Sequence, residues 1–151
     1  MFNHTEVLIM ALDLTEGSGG KPSENFGRKA YVISRVVDCS EVTVPVDGTV
    51  NVIDVPENCY LSMVRTNVLT AEGSALDIDV GDGSDADGFG DALDGNDTDV
   101  DSMDTDSAGM YASGGTISVV FKDNGTDDAN QPDTCKILVQ ALVYDFNFND
   151  L

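Results

Sequence analysis

Apolar and β-branched residues recur along the chain in short runs, separated by glycine, proline, aspartate and asparagine. Such runs predict strands at residues 5–14, 29–38, 41–46, 49–55, 60–69, 75–80, 116–122 and 135–146. Nowhere does the three-to-four spacing of a half-buried helix persist for three turns. The clearest local signal is Val42-Thr43-Val44-Pro45-Val46-Asp47-Gly48-Thr49-Val50-Asn51-Val52-Ile53. An Asp-Gly pair between two β-rich runs predicts a two-residue hairpin, whose central positions both need positive φ. Pro45 has no N–H and moves its run toward a sheet edge. In the last strand Ile137, Val139, Ala141 and Val143 alternate with Leu138, Leu142, Tyr144 and Phe146, so both faces are apolar. That pattern fits a central strand covered on both sides, or one whose outer face packs against a neighbouring subunit. Together the strands predict an all-β fold, a single antiparallel β-sandwich or jelly roll.

Two stretches interrupt the pattern. Residues 16–27 have the composition of a flexible linker, so residues 1–28 are expected to form an N-terminal strand or arm plus linker, with the sandwich domain at 29–151. Residues 77–106 contain 12 aspartates, and no Lys, Arg or His occurs between Arg65 and Lys122. This second stretch is expected to be a long Asp-rich surface loop.

Charge narrows the partners. In 151 residues, 28 acidic side chains face 7 basic ones, a formal −21, while 41% hydrophobic content is ordinary for one globular domain. Nucleic acid and anionic lipid repel such a chain, and no apolar run has the length of a membrane span. The run Val7–Leu12 is flanked by Glu6, Asp13 and Glu16 rather than by basic residues, which favours a strand of the mature protein over a secretory signal. Cys39, Cys59 and Cys135 are odd in number, widely spaced and without a CxxC pair. They predict three buried thiols made in a reducing cytosol, with one disulfide and a leftover thiol as the alternative.

Little catalytic chemistry is available, and no enzyme is expected. The only histidine, His4, lies near a terminus, no serine sits in a nucleophile elbow, and Gly17-Ser18-Gly19-Gly20-Lys21 has the wrong spacing for a phosphate loop. Asp85-Ala86-Asp87-Gly88 matches the middle of an EF-hand loop, but Gly83 and Asp94 would occupy its first and twelfth positions. A different oxygen cage for calcium would draw on Asp82, Asp85, Asp87 and Asp91. The plainer explanation is that Asp and Gly make tight turns and keep a loop hydrated.

Val52-Ile53-Asp54-Val55-Pro56, then Val68-Leu69-Thr70-Ala71-Glu72-Gly73, then Asp79-Val80-Gly81-Asp82-Gly83-Ser84-Asp85-Ala86-Asp87-Gly88-Phe89 form one ordered block. It resembles small tailed-bacteriophage virion structural proteins of the capsid decoration (cement) type, which have a β-sandwich or jelly-roll fold. The likeness covers residues 53–94, with weaker support from Tyr111-Ala112-Ser113-Gly114-Gly115-Thr116-Ile117 and the last strand. After Phe89 the chain departs from the pattern, with Gly90 where a larger apolar residue is usual. The resemblance implies a virion component, made in the host cytoplasm and bound to the outer surface of the phage head. There it would be a homotrimer that bridges subunits of the major capsid protein. The alternative expectation is a calcium-dependent β-sandwich recognition module of a head fibre or tail. A weaker one is an acidic DNA mimic.

Overall fold

The computed structural model describes residues 29–122 and 131–146. The strand expected at 5–14, the linker at 16–27, His4 and residues 147–151 lie outside the described residues. Among the described residues every regular element is a strand: β1 (Lys29–Asp38), β2 (Thr49–Val55), β3 (Cys59–Thr70), β4 (Asp77–Asp82), β5 (Gly90–Asp94), β6 (Asp101–Asp104), β7 (Gly109–Tyr111), β8 (Gly115–Lys122) and β9 (Lys136–Asp145). The all-β expectation holds, and six of these strands fall within two residues of the ranges read from the sequence.

The strands form two antiparallel sheets. The first has the order β1-β9-β3-β6, with β7 also paired to β3, and the second has the order β2-β8-β4-β5. β6 pairs with Val64–Asn67 of β3 and β7 with Cys59–Leu61, so the two lie end to end as one interrupted strand. Counted that way, eight strands cross repeatedly between the sheets, and only β4 and β5 follow one another within a sheet. This is jelly-roll connectivity. Leu61, Val64, Ile137 and Val139 of the first sheet and Ile53, Ile78, Ile117 and Phe121 of the second belong to one buried cluster, each 0–1% exposed. Burial of that alternating set is the main stabilising term.

Residues 41–46 do not form a strand, and the expected hairpin is absent. Of the Asp-Gly pair only Asp47 takes a positive φ, 57°. The turn exists, with Gly48 N–H donating to Pro45 O at 3.3 Å, but it delivers the chain to the other sheet. β2 then pairs with β8, and Asp47 N–H donates to Phe121 O at 2.9 Å. A tight hairpin would have held both runs in one sheet, whereas jelly-roll connectivity requires this connection to cross. Val44, 1% exposed, plugs the crossing.

Residues 77–106 are likewise not one long loop. They contain β4, β5 and β6, and the aspartates between them make the turns. Asp82 Oδ1 accepts from Ser84 N (2.7 Å) and Asp85 N (2.9 Å), Asp94 Oδ1 from Asn96 N (2.8 Å), Asp97 Oδ1 from Asp99 N (2.8 Å) and Asp104 Oδ1 from Asp106 N (2.9 Å). Each carboxylate replaces a backbone carbonyl in closing a short turn, which lets strands of four to six residues succeed one another. At Gly81 the loop folds back so closely that a Cβ would lie 2.1 Å from Asp85 O.

One inward side chain is out of place in the core. Thr66 of β3 is fully buried, and its Oγ1 has no hydrogen-bond partner among the described residues. Thr66→Val keeps the β-branched shape and removes the unsatisfied hydroxyl, so it is expected to stabilise the fold by about 1 kcal/mol. Urea unfolding of the two proteins measures this. A loss of stability instead would mean that the hydroxyl is satisfied in solution by buried water.

Candidate interaction face

The outer faces of the two sheets have opposite chemistry. In an antiparallel pair, residues directly opposite share a face. On the outer face of the first sheet the register places Met110, Tyr60, Tyr144 and Ala30 in one row, and Met63, Leu142 and Val32 in the next. Met103, Arg65, Gln140 and Ser34 follow, then Asp101, Asn67, Leu138 and Val36. Val32, Val36, Met103 and Met110 are 54, 53, 62 and 58% exposed, and Leu138, Leu142 and Met63 are half-buried. Apolar side chains thus dominate a face that no other part of the described chain covers.

The charges on this face cancel in pairs. Arg65 forks onto Asp101, Nε to Oδ1 and Nη2 to Oδ2, both at 2.7 Å. That bidentate contact raises the Arg65 pKa and holds the Asp101 carboxyl below its ordinary value. Lys136 pairs with Asp38 at the margin, and Gln140 Nε2 donates to Ser34 Oγ at 3.1 Å. The polar stripe is therefore internally satisfied, and the face is nearly neutral on a chain of charge −21.

The second sheet turns Thr49, Asn51, Asp54, Thr116 and Ser118 outward, with Asp77 opposite both Lys122 and Asp94. Asp79 is 2% exposed; it pairs with Lys122 and accepts from Ala92 N at 3.0 Å. This face is polar and acidic.

The four aspartates singled out as calcium ligands sit beyond it. Asp82, Asp85 and Asp87 share the β4–β5 turn, and Asp91 is exposed in β5. Asp82 is already engaged through both oxygens, since Oδ2 accepts from Tyr111 Oη at 2.6 Å. The Asp85 carboxyl is pushed above its ordinary value, mainly because it hydrogen-bonds with that of Asp87. Among the described residues no group of three or more His, Cys, Asp or Glu side chains could hold a metal ion. An adjoining cavity of about 510 Å³ is lined by Asp82, Ser84, Ser107, Met110, Tyr111, Thr116 and small residues, without a histidine, cysteine or cation.

Burial works to raise the Asp82 pKa, but the hydrogen bonds from Tyr111, Ser84 and Asp85 outweigh it and hold the carboxyl below its usual range. The fold therefore favours ionised Asp82. Its stabilisation is present above about pH 4 and is lost as pH falls through the lowered value. Tyr111→Phe removes one of these bonds and is expected to cost about 1–2 kcal/mol at pH 7. Below about pH 4 the difference from the parent should narrow, because the parent loses the same term. Unfolding curves at pH 7 and pH 3 check this, and a deficit independent of pH would disprove it.

The sequence showed only one strand of the apolar face, β9, as an alternative to a doubly covered strand. β9 is central within its sheet, with Ile137, Val139, Ala141 and Val143 fully buried, yet no other described residue covers its other face. Met103 and Met110 lay unseen in and beside the supposed loop.

No family model matches the chain, and no curated protein matches it. Among solved structures it is similar to a chain of the cyanophage Pam1 capsid asymmetric unit, with TM-score 0.59 and 15% identity, over 82% of this chain and 89% of that one. It is also similar to a chain of the acid-stable capsid of Helicobacter pylori bacteriophage KHP30, with TM-score 0.54 and 14% identity, over 76% of this chain and 86% of that one. At these identities what is shared is the fold, and it is shared over most of both chains.

Proposed function

We propose that the chain is a capsid decoration protein of a tailed bacteriophage. It binds the outer surface of the head through the outer face of the first sheet and stabilises the shell by bridging major capsid subunits. The observation that carries this reading is the apolar face that no other described residue covers, nearly neutral on a strongly acidic chain. Support comes from the fold it shares with chains of two phage capsids. The role is mechanical rather than catalytic: burying that face between shell subunits adds interface which internal pressure must break. Charge favours the outside of the shell, since packed DNA would repel a chain of −21. The acidic second sheet then faces solvent. A homotrimer on a local threefold axis presents identical faces to equivalent shell neighbours.

The test is co-sedimentation with shells of the major capsid protein of the same phage, assembled without this chain. Saturable binding that raises the temperature at which the shells rupture is the expected result. Absence of binding at any chain concentration would reject the proposal.

A further inference from the structure

Three cysteines are buried, and two of them stand directly opposite one another. The β1–β9 register ends at Asp38 opposite Lys136, and the next pair outward is Cys39 and Cys135, with Cys39 N–H donating to Cys135 O at 2.9 Å. Both side chains lie on the inner face, 6% and 0% exposed, and their thiols hydrogen-bond to each other. Cα atoms of directly opposed, hydrogen-bonded strand residues are about 5.5 Å apart. A disulfide spans roughly 4.4–6.8 Å. We infer that Cys39 and Cys135 are a disulfide-forming site, converted from two thiols to one intramolecular bond by exchange with a small-molecule disulfide.

The surroundings fit this chemistry. Glu72 fixes the backbone that leads into Cys135, its carboxylate accepting from Asp133 N (3.0 Å), Thr134 N (3.1 Å) and Cys135 N (2.6 Å). Cys39 lines a surface cavity of about 280 Å³ with Ser40, Glu41, Val42, Gln131 and Pro132, so this end of the pair lies close to solvent. The Cys135 thiol, by hydrogen-bonding to Cys39, lowers the Cys39 pKa against burial and the nearby Glu72, Asp38 and Asp133, while Cys135 is pushed up. Cys39, which lines the cavity, is the attacking sulfur, and the fully buried Cys135 is the resolving one. Cys59 is placed at the opposite end of β9, facing Asp145, ten residues and roughly 30 Å from Cys135. It has no part in the bond.

With oxidised glutathione, the Cys39 thiolate attacks one sulfur of the reagent, whose S–S bond breaks. One glutathione leaves with that electron pair and takes up a proton. Cys135 then loses its proton and attacks Cys39 Sγ, expelling the second glutathione as a thiol. Two protein thiols are oxidised and one small disulfide is reduced to two thiols. The new bond ties β1 to β9 and closes a loop of roughly one hundred residues, so it should raise the melting temperature by about 5–15 °C. A virion released into an oxidising medium would gain that stability after assembly; only this consequence rests on the proposed function.

Full-length native chain is incubated with oxidised glutathione, and its intact mass, free thiols and peptide map are followed. The expected product has lost two hydrogen atoms, keeps one titratable thiol, and yields a single cross-link between the Cys39 and Cys135 peptides. Cys59→Ala should form the same cross-link and keep no titratable thiol, and Cys135→Ala should stop at a glutathione adduct on Cys39. Three thiols persisting under conditions that oxidise the denatured chain, a lasting adduct on the parent protein, or a cross-link that includes Cys59 would each overturn the inference. The parent measurement needs no variant and no shell, so its failure is distinguishable from a failure to bind capsids.

Discussion

Val36→Glu combined with Met103→Glu is expected to weaken shell binding by about 100-fold or more, with little change in melting temperature. Both side chains are more than half exposed, so neither supports the core, and their loss should not unfold the domain. They lie at opposite edges of the sheet, Val36 on edge strand β1 and Met103 on β6, at the end of the row formed with Arg65, Gln140 and Ser34. A carboxylate at each position must be desolvated in any complex that covers the sheet, wherever the partner's own contacts concentrate. The matched control is Thr49→Glu with Asn51→Glu on the outer face of the second sheet, where both positions are also exposed. That variant adds the same charge and should bind shells like the parent. Co-sedimentation of the three proteins across a concentration series decides the matter. Equal weakening by both variants would mean that charge alone is being read, and loss confined to the control would move the docking face to the other sheet.

How far the sequence reached follows from what each element depends on. Strands β1, β3, β8 and β9 alternate or run apolar over eight to twelve residues, so periodicity alone places them. β5, β6 and β7 have five, four and three residues, and two of them read as GDALD and DSMD, with hardly an apolar position to count. They are strands because β3 and β4 offer hydrogen-bonding edges and because Asx turns return the chain to those edges. Neither condition is visible in a local window. The hairpin expected at Asp47-Gly48 is absent for the same reason: a turn forms there, with only Asp47 at positive φ, but the partner strand is set by the crossing between sheets. The apolar face was legible only in β9, because rows such as Met103–Arg65–Gln140–Ser34 join residues up to 106 positions apart. The opposition of Cys39 and Cys135 is equally nonlocal. The aspartates drew attention as a ligand set, and their composition alone did not separate a cage from a series of turns. Hydrogen bonds from backbone N–H groups two residues on make turns at Asp82, Asp94, Asp97 and Asp104, of which only Asp82 belongs to the candidate ligand set.

Phe89→Ala is expected to cost about 3–5 kcal/mol, more than any other single change in residues 77–106. Phe89 is the one large aromatic in that acidic stretch, and it is completely buried, among the largest side chains of the core cluster. It closes the turn begun at Asp82: Phe89 N–H donates to Val80 O at 2.8 Å, and Gly90 N–H to Asp87 O at 3.0 Å. One residue therefore fixes both ends of the segment, its ring holding β5 to the core and its backbone bonding to β4. Truncation to alanine leaves a cavity between two sheets that cannot close without breaking the β4–β5 pairing, so the cost should fall in the upper part of the range for buried aromatics. Against a total stability of about 5–15 kcal/mol, a loss of that size leaves the domain marginal at 37 °C. Phe89→Leu keeps most of the volume and should lose clearly less. Urea unfolding of the three proteins separates the cases. If Phe89→Ala proved nearly neutral, residues 77–106 would be the loosely attached acidic loop that their composition suggested, and β4 and β5 would owe their order to neither core nor turn.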